Sequence, residues 1–477
     1  MQTQVRNEKM LLAGEWVYTD KTFGVYDPQN NHLIARVPLS TTRDMLQAIE
    51  EAEQAFQTNK GWPTHERIKV LYGVVDYMEK HKELFARTIA TEGSKTITEA
   101  RGEVKRAMQT ITISAEEARR LKGETINFDQ NEGSENKIGY YYRFPIGVVG
   151  AITPFNDPLN LVAHKVGPAI AAGNAIVVKP ASVTPLSALL LADAFSAAGL
   201  PKGMLSVITG SGRELGETMV THPSIKMVSF TGGLNAGEKV AEQAGVKQVG
   251  MELGSNSPTI VMKDCDLKDA IESSVSGSFG AAGQNCIGVQ RIYVEKEVYD
   301  DFVEAFVSHT NRLNVGNKLD DNTDMGPMIE EKEAIRVENW VDEAVEAGAK
   351  ALTGGKRDGA FYHPTVLVDV PDGVTLAKEE IFGPVVLIYP VNSLEEAVQR
   401  SNDVDYGLHA GIFTKNLDHA FYAIEHLECG GVMVNDTSDY RIDEMPFGGV
   451  KNSGLGREGV RFSVEAMTEP KVVAIKL

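Results

Sequence analysis

Cysteine is scarce in this chain of 477 residues. The three that occur, Cys265, Cys286 and Cys429, are too few and too scattered for a disulfide framework. No CxxC and no Cys/His pair at zinc-ligand spacing accompanies them, so no metal is expected. Free thiols fit a reducing, cytoplasmic setting. Basic charge is short as well: 47 Lys and Arg stand against 66 Asp and Glu, for a net charge of −19. A polyanion repels a phosphate backbone, which argues against nucleic acid as a partner. Long apolar runs are missing. The opening residues, MQTQVRNEKMLLAGEW, have no apolar core behind their basic positions and do not read as a secretory signal. The most apolar long stretch, residues 161–178, is interrupted by His164, Lys165, Gly167, Pro168, Gly173 and Asn174, which is not the pattern of a membrane span. No repeat, low-complexity tract or Pro/Ser-rich linker stands out, and neither a GxGxxG fingerprint nor a P-loop is present.

What the chain has is length and apolar content. At 42% hydrophobic it supports a large buried core, and it is too long for one ordinary domain, so two or three are expected. The first ~120 residues read as mixed strands and helices, with helical periodicity at 45–56 and 68–91. From Gly147 short, wholly apolar strands (148–153, 176–179, 205–209, 227–230, 248–253) alternate with helical stretches (159–172, 187–198 and the segments after Gly210 and Gly232). That alternation predicts a parallel sheet covered on both faces. The pattern restarts with strands at 259–262 and 291–294, helices at 267–279, 299–313 and 333–347, and a late strand at 431–435, which reads as a second α/β domain. Residues 123–144, containing YYYRF, and 471–476, KVVAIK, look like edge strands, and an exposed edge invites cover from another subunit.

Three places combine glycine or lysine with a predicted strand end: Gly210/Gly212/Gly216, Gly232/Gly233/Gly237, and Lys179 before Pro180. Backbone amides at a helix N-terminus form a natural phosphate site, yet taken alone each glycine turn reads as plain turn chemistry. Cys286 lies in SFGAAGQNCIG, where a buried thiol ordinarily serves as a small hydrophobe. Glu252 ends an apolar strand, an unusual place for a carboxylate unless it is paired or functional. Asn156 in TPFNDPLN suits a turn or a helix cap.

Taken together, TPFNDPL (153–159), GPAIAAGNAIVVKPA (167–181), SFTGG (229–233), MELGSNSP (251–258), GQNC (283–286), EEIFGPV (379–385) and PFGGVKNSGLGRE (446–458), with 34 residues from Glu252 to Cys286, give the chain a close resemblance to the aldehyde dehydrogenase superfamily over nearly its whole length. The resemblance implies an α/β fold with a modified Rossmann cofactor domain (1–122 and 146–253), an α/β catalytic domain (254–458) and β oligomerisation arms (123–145 and 459–477), assembled as a homodimer or homotetramer. It implies Cys286 as nucleophile, Asn156 and the Cys286 N–H as oxyanion hole, Glu252 as the base that activates water, and Lys165 in proton handling. It implies NAD or NADP as cofactor, held by Thr153, Pro154, Lys179, Ser182, Gly212, Gly232, Gly233, Glu380 and Phe382. What lowers the pKa of Cys286 is not legible, because the residue follows its predicted helix rather than starting one.

Departures from the family pattern sharpen the expectation. Position 182 is Ser where NAD-preferring members often carry Glu, so no carboxylate repels a 2′-phosphate and NADP is tolerated or preferred. Gly233 replaces a serine common in FTGS, and Ser255 the second glycine of ELGG. Asp157 and His164 stand where many relatives place aromatics, and Arg441 and Asp443 lie in an entrance loop. A polar pocket of this kind favours a small polar aldehyde: a hydroxyaldehyde, semialdehyde, phospho- or sulfo-aldehyde, as in the lactaldehyde, semialdehyde and non-phosphorylating glyceraldehyde-3-phosphate branches. Two alternatives sit on the same scaffold. A CoA-acylating semialdehyde dehydrogenase would tend to lack the carboxylate of Glu252, and a non-catalytic structural or stress protein would be damaged at Cys286, Asn156 or Glu252. A cysteine hydrolase would need a Cys/His pair, and none of the ten histidines lies in a recognisable partner motif.

Overall fold

The computed structural model describes residues 5–477. Two parallel sheets organise it. In the first, the order is Leu205–Val207, Ala175–Lys179, Val148–Ile152, Ile225–Thr231, Gln248–Glu252. Numbered along the chain, these five strands run 3-2-1-4-5, all parallel, so the connections leave in opposite directions from the strand Val148–Ile152. The short antiparallel strands Met10–Leu12 and Glu15–Val17 extend one edge, and Gly454–Leu455, from far along the chain, closes the other. Ala175–Lys179 is buried along its whole length, the expected outcome for a parallel strand sandwiched between helices.

The second sheet runs Lys350–Thr353, Thr365–Val368, Val385–Val391, Arg291–Glu295, Pro258–Val261, His409–Phe413, Gly431–Val434. Only Lys350–Thr353 is antiparallel to its neighbour. Each sheet has its own core, one built from residues such as Val148, Val177 and Phe195, the other from Ile260, Ile292 and Leu387.

Helix starts follow local chemistry. Ile97–Arg120 begins at a reciprocal Thr96/Glu99 capping box. Asn160–Ala172 ends at Gly173 with φ 91°, the left-handed C-terminal position that glycine adopts without cost. The periodicity over 68–91 resolves into two helices, Thr64–Lys80 and Lys82–Glu92, broken at His81 (φ −119°, ψ 16°). No Gly or Pro marks that break, and the apolar stripe runs on across it, so spacing alone reads it as one helix.

The two segments read as edge elements pair with each other. Thr468–Lys476 runs antiparallel to Lys137–Pro145 over nine residue pairs, and Glu124–Ile126 lies on the far side. The helix before it, Val460–Ala466, packs against Asn160–Ala172 and Ile97–Arg120 in the first core. No helix among the described residues is long and apolar enough to cross a membrane.

Candidate active site

In a doubly wound sheet, ligands settle at the carboxyl ends of the strands where the strand order reverses. Here that point lies between Val148–Ile152 and Ile225–Thr231. The first strand runs out into Thr153, Pro154 and Asn156. The second runs into Gly232 and Gly233, which begin the helix Leu234–Ala244, and Gln248–Glu252 ends on Glu252. The second sheet's unit closes over them with Cys286, Glu380 and Phe382. Between the units is a cavity of about 770 Å³ lined by all nine of these residues. A second cavity, about 420 Å³, is lined by Asp157 and Arg441 together with Lys95, Arg106, Phe447 and Glu458. Asn156, Glu252 and Cys286 line both. They form part of the wall through which the two spaces meet.

Cys286 sits on a loop after the helix Leu267–Phe279. Three left-handed residues precede it: Ala281 (φ 50°), Ala282 (φ 55°) and Gly283 (φ 69°). For an L-residue that conformation costs about 1–2 kcal/mol, so the two alanines store strain that neighbouring contacts must hold. Asn285 Oδ1 accepts from the Ile287 N–H at 3.2 Å and lies 3.9 Å from the Cys286 sulfur. Burial pushes the Cys286 thiol up to about 12, with Glu380 and Glu252 adding to the rise and the Arg441 guanidinium opposing it.

Glu252 is 3% exposed, and neither of its carboxylate oxygens has a hydrogen-bond partner. Burial first, and the nearby Glu458 second, hold its pKa well above the ordinary carboxylate value, against Arg441, Lys165 and Arg457. Glu458 takes the opposite course. Although buried, it accepts from Lys165 Nζ at 2.6 Å, and the surrounding cations hold it below the usual range. Lys165 also donates to Ser229 Oγ at 3.0 Å. Two buried carboxyls are thus driven apart: one paired and shifted down, the other unpaired and shifted up.

On the larger cavity's side, Lys179 Nζ donates to Ser182 Oγ at 3.2 Å, and Ser182 donates in turn to Gly210 O at 2.7 Å. A Cβ at Gly212 would stand 3.4 Å from the same Nζ. This cluster adjoins Ala181, which lines the cavity. Burial lowers the Lys179 pKa to about 8. Gly233 is the N-cap of Leu234–Ala244, and a Cβ there would meet nothing within 4 Å. Glu380 accepts from the Ser255 N–H at 2.9 Å, and burial pushes it up to about 7. Phe382, itself at φ 45°, meets Phe155 edge-on at 5.7 Å. The buried hydroxyls of Thr153 and Thr231, both on the cavity wall, have no protein partner.

On the smaller cavity's side charges alternate. Asp157 pairs with Lys95, with Arg106 at 3.8 Å. Lys95 also reaches Glu103 at 2.7 Å, and Glu103 accepts from the Leu159 and Asn160 N–H groups, capping the helix that carries His164 and Lys165. Arg106 meets Asp443 at 3.0 Å, and His164 Nε2 lies 2.8 Å from the same oxygen. His164 is sealed from solvent, and neither it nor Lys165 lines either cavity. Arg441 behaves differently. It stacks over the Phe447 ring at 3.7 Å, its buried Nε has no acceptor, and among the described residues it forms no salt bridge. Lys95, Glu99, Arg106 and Glu458 were not singled out from sequence. Glu458 does close the PFGGVKNSGLGRE segment, while Arg106 reads as an ordinary helical surface residue.

Comparison with known proteins gives a consistent result. The model described as "Aldehyde dehydrogenase family" matches residues 16–473. The 3-sulfolactaldehyde dehydrogenase of Priestia megaterium is 46% identical over 475 residues, covering 100% of this chain and 99% of that protein. The crystal structure of aldehyde dehydrogenase 21 from Physcomitrella patens, in complex with the reaction product succinate, superposes with a TM-score of 0.97 at 43% identity and covers 99% of each chain. The NADP-dependent glyceraldehyde-3-phosphate dehydrogenase from Bacillus halodurans, complexed with NADP, gives a TM-score of 0.96 at 40% identity, again over 99% of each.

Proposed function

The chain belongs to the aldehyde dehydrogenase family, and from that premise we propose that it oxidises a small aldehyde carrying an anionic group to the matching acid, through a thioester on Cys286, with NAD or NADP as cofactor and NADP accepted or preferred. The observation that carries this reading is the shared wall. Cys286, Asn156 and Glu252 face one cavity suited to a dinucleotide and another lined by an unpaired Arg441.

The larger cavity, with the Lys179–Ser182–Gly212 cluster that adjoins it at Ala181, fits the cofactor. A cation at Lys179, glycine at 212 and 233, a helix N-terminus and two unpartnered hydroxyls suit a phosphate-bearing ligand. Lys179, Ser182 and Gly212 would hold the adenosine ribose, Gly232 and Gly233 the pyrophosphate, and Glu380 and Phe382 the nicotinamide ribose, with Thr153 and Pro154 alongside. Ser182 leaves room for a 2′-phosphate beside Lys179. When bound, the cofactor supplies the hydride acceptor that makes the reaction an oxidation.

The protein's own groups do the rest. The Cys286 sulfur, as thiolate, bonds to the aldehyde carbon. The oxygen, now an anion, is held by the Asn156 side-chain amide and the Cys286 N–H. After oxidation to the thioester, Glu252 takes a proton from water, the water oxygen bonds to the acyl carbon, and the carbon–sulfur bond breaks to release acid and thiolate. A carboxyl with a raised pKa is suited to act as base near neutrality. The Lys165–Glu458 pair sets the field around it. An acyl-CoA product would not require this carboxylate, so Glu252 supports hydrolysis.

Arg441 supports the anionic substrate class. A guanidinium held by a ring face, with no carboxylate partner and only a 3.5 Å contact from Nη2 to His164 Nε2, keeps its remaining donors for a ligand carboxylate, phosphate or sulfonate. The relatives named above act on sulfolactaldehyde or bind succinate, both anionic. Arg106, partly committed to Asp443, is a second donor on the same side. Asp157 and His164 then act by arranging these cations. The exposed arm, with Ile138, Tyr142, Phe144, Val472 and Ile475 open to solvent, supports a homo-oligomer, dimer or tetramer, and the scattered thiols support a cytoplasmic setting.

The test is the initial rate of NAD and NADP reduction over lactaldehyde, glycolaldehyde, glyceraldehyde 3-phosphate, succinate semialdehyde, sulfolactaldehyde, benzaldehyde and a long aliphatic aldehyde. The expected result is fastest turnover on a short anionic aldehyde. Fastest turnover on benzaldehyde or the aliphatic aldehyde would overturn the substrate class.

A further inference from the structure

The left-handed turn ahead of Cys286 is held from outside its own unit. Glu99 lies in the first turn of the helix Ile97–Arg120, part of the first core. One of its carboxylate oxygens closes the capping box by accepting from the Thr96 N–H at 2.7 Å. The other accepts from the Ala281 N–H, also at 2.7 Å. The far side of the same turn is held from within: Gln284 Nε2 donates to Ala281 O at 3.1 Å, while Gln284 Oε1 accepts from the Ile329 N–H at 3.0 Å. A Cβ at Gly283 would collide with the Gly383 carbonyl oxygen, so the turn is seated against the backbone of the second unit. Ala281 and Ala282 adopt positive φ with an L side chain and without glycine's freedom. A conformation of this kind persists only where its surroundings fix it.

We propose that Glu99 is a positioning residue for Cys286. By accepting the Ala281 N–H it pins the left-handed turn from which the nucleophile's loop departs, and so sets where the sulfur stands relative to Asn156 and Glu252 on the opposite unit. This rests on Cys286 being the nucleophile. The choice of a carboxylate follows from the geometry. Two backbone N–H groups, one from each unit, converge on one side chain, and a carboxylate can accept both, whereas a glutamine oxygen together with an NH₂ cannot. Glu99 also lines the smaller cavity, together with Arg441.

The experiment compares Glu99→Ala, Glu99→Gln and Thr96→Ala in the full chain. Three quantities are read: kcat and KM for succinate semialdehyde with NADP, the rate of Cys286 alkylation by iodoacetamide against a Cys286→Ala baseline, and the thermal midpoint. Thr96→Ala removes the hydroxyl that accepts from the Glu99 N–H but keeps both carboxylate bonds. It lowers the midpoint and leaves kcat unchanged. Glu99→Ala lowers kcat by about 10²-fold, the scale of a misplaced reacting group, changes the alkylation rate in parallel, and leaves the KM for NADP unchanged. Glu99→Gln retains one acceptor and falls between, which keeps the test open if the alanine variant does not fold. Wild-type kcat and alkylation in Glu99→Gln, or an equal kcat loss in Thr96→Ala, overturns the positioning role. Full turnover after stoichiometric alkylation of Cys286 in the parent protein overturns the nucleophile reading instead.

Discussion

Lys165 Nζ lies 2.6 Å from Glu458 Oε1, both groups shut away from solvent, while Glu252 beside them has no hydrogen-bond partner at all. Opposite charge satisfies one carboxyl and leaves the other with a raised pKa. A pH dependence follows. Hydrolysis of the thioester needs Glu252 ionised, so the rate is low in the ordinary carboxylate range and climbs as pH rises through the raised value. Glu458→Gln removes the negative charge and leaves Lys165 uncompensated, which lowers the Glu252 pKa and moves the acid limb of deacylation to lower pH. An unmoved limb in rapid-quench measurements would exclude the coupling. The same sign governs stability: the folded protein binds this proton more tightly than the unfolded chain, so this group's contribution is lost as pH rises from the ordinary carboxylate range through the raised value.

Substitution of Cys286 by alanine is expected to abolish aldehyde oxidation while NADP still binds, as read by fluorescence titration. In the parent protein, burial holds the thiol up at about 12, so iodoacetamide labels it slowly at neutral pH and faster as pH rises. Because Arg441 opposes that rise, Arg441→Met slows labelling further. Residual turnover in Cys286→Ala would rule out the covalent route.

Charged hydrogen bonds contribute about 1.5–3 kcal/mol each. Arg441→Met therefore raises KM for succinate semialdehyde or sulfolactaldehyde by about 10- to 100-fold, with a smaller rise for propionaldehyde, which has no anionic group. Arg106→Met follows the same direction with a lesser effect, because Asp443 already shares its guanidinium. Equal losses on charged and neutral aldehydes would place the effect on Cys286 rather than on the substrate.

At the other end, Ser182→Glu sets a carboxylate beside Lys179, 3.2 Å from the present hydroxyl. The new carboxylate repels a 2′-phosphate and competes with it for the lysine. KM for NADP is expected to rise by at least about tenfold, with NAD nearly unaffected. The ratio of kcat/KM for the two cofactors measures it, and an unchanged ratio would remove Ser182 from the ribose site.

How much of this was legible depended on distance along the chain. The strand–helix alternation from Gly147 carried the doubly wound sheet, because parallel strands buried on both faces must be apolar throughout, and a run such as IVVK has few other homes. Glu252 stood out for the converse reason: a carboxylate closing such a strand needs an explanation. The long-range bonds of Glu99 and Glu103 were invisible. Each reaches groups that lie far off in sequence, Ala281 and the Leu159–Asn160 amides, and an exposed-looking helical Glu carries no mark of what it touches. His164 illustrates the same limit. Sequence placed it near the entrance, yet whether its ring meets ligand or Asp443 is decided by the loop that follows Asp439.

The arm has a further consequence, for synthesis rather than catalysis. Lys137–Pro145 leaves the ribosome long before Thr468–Lys476, and through that interval nine residues of tyrosine-rich strand have an open edge with nothing of their own chain to pair with. A nascent chain in that state offers a ready template to its neighbours on the same message. Truncation just before Thr468 would make the transient condition permanent, and such a protein would be lost to aggregates even though both units that build the catalytic wall are already complete.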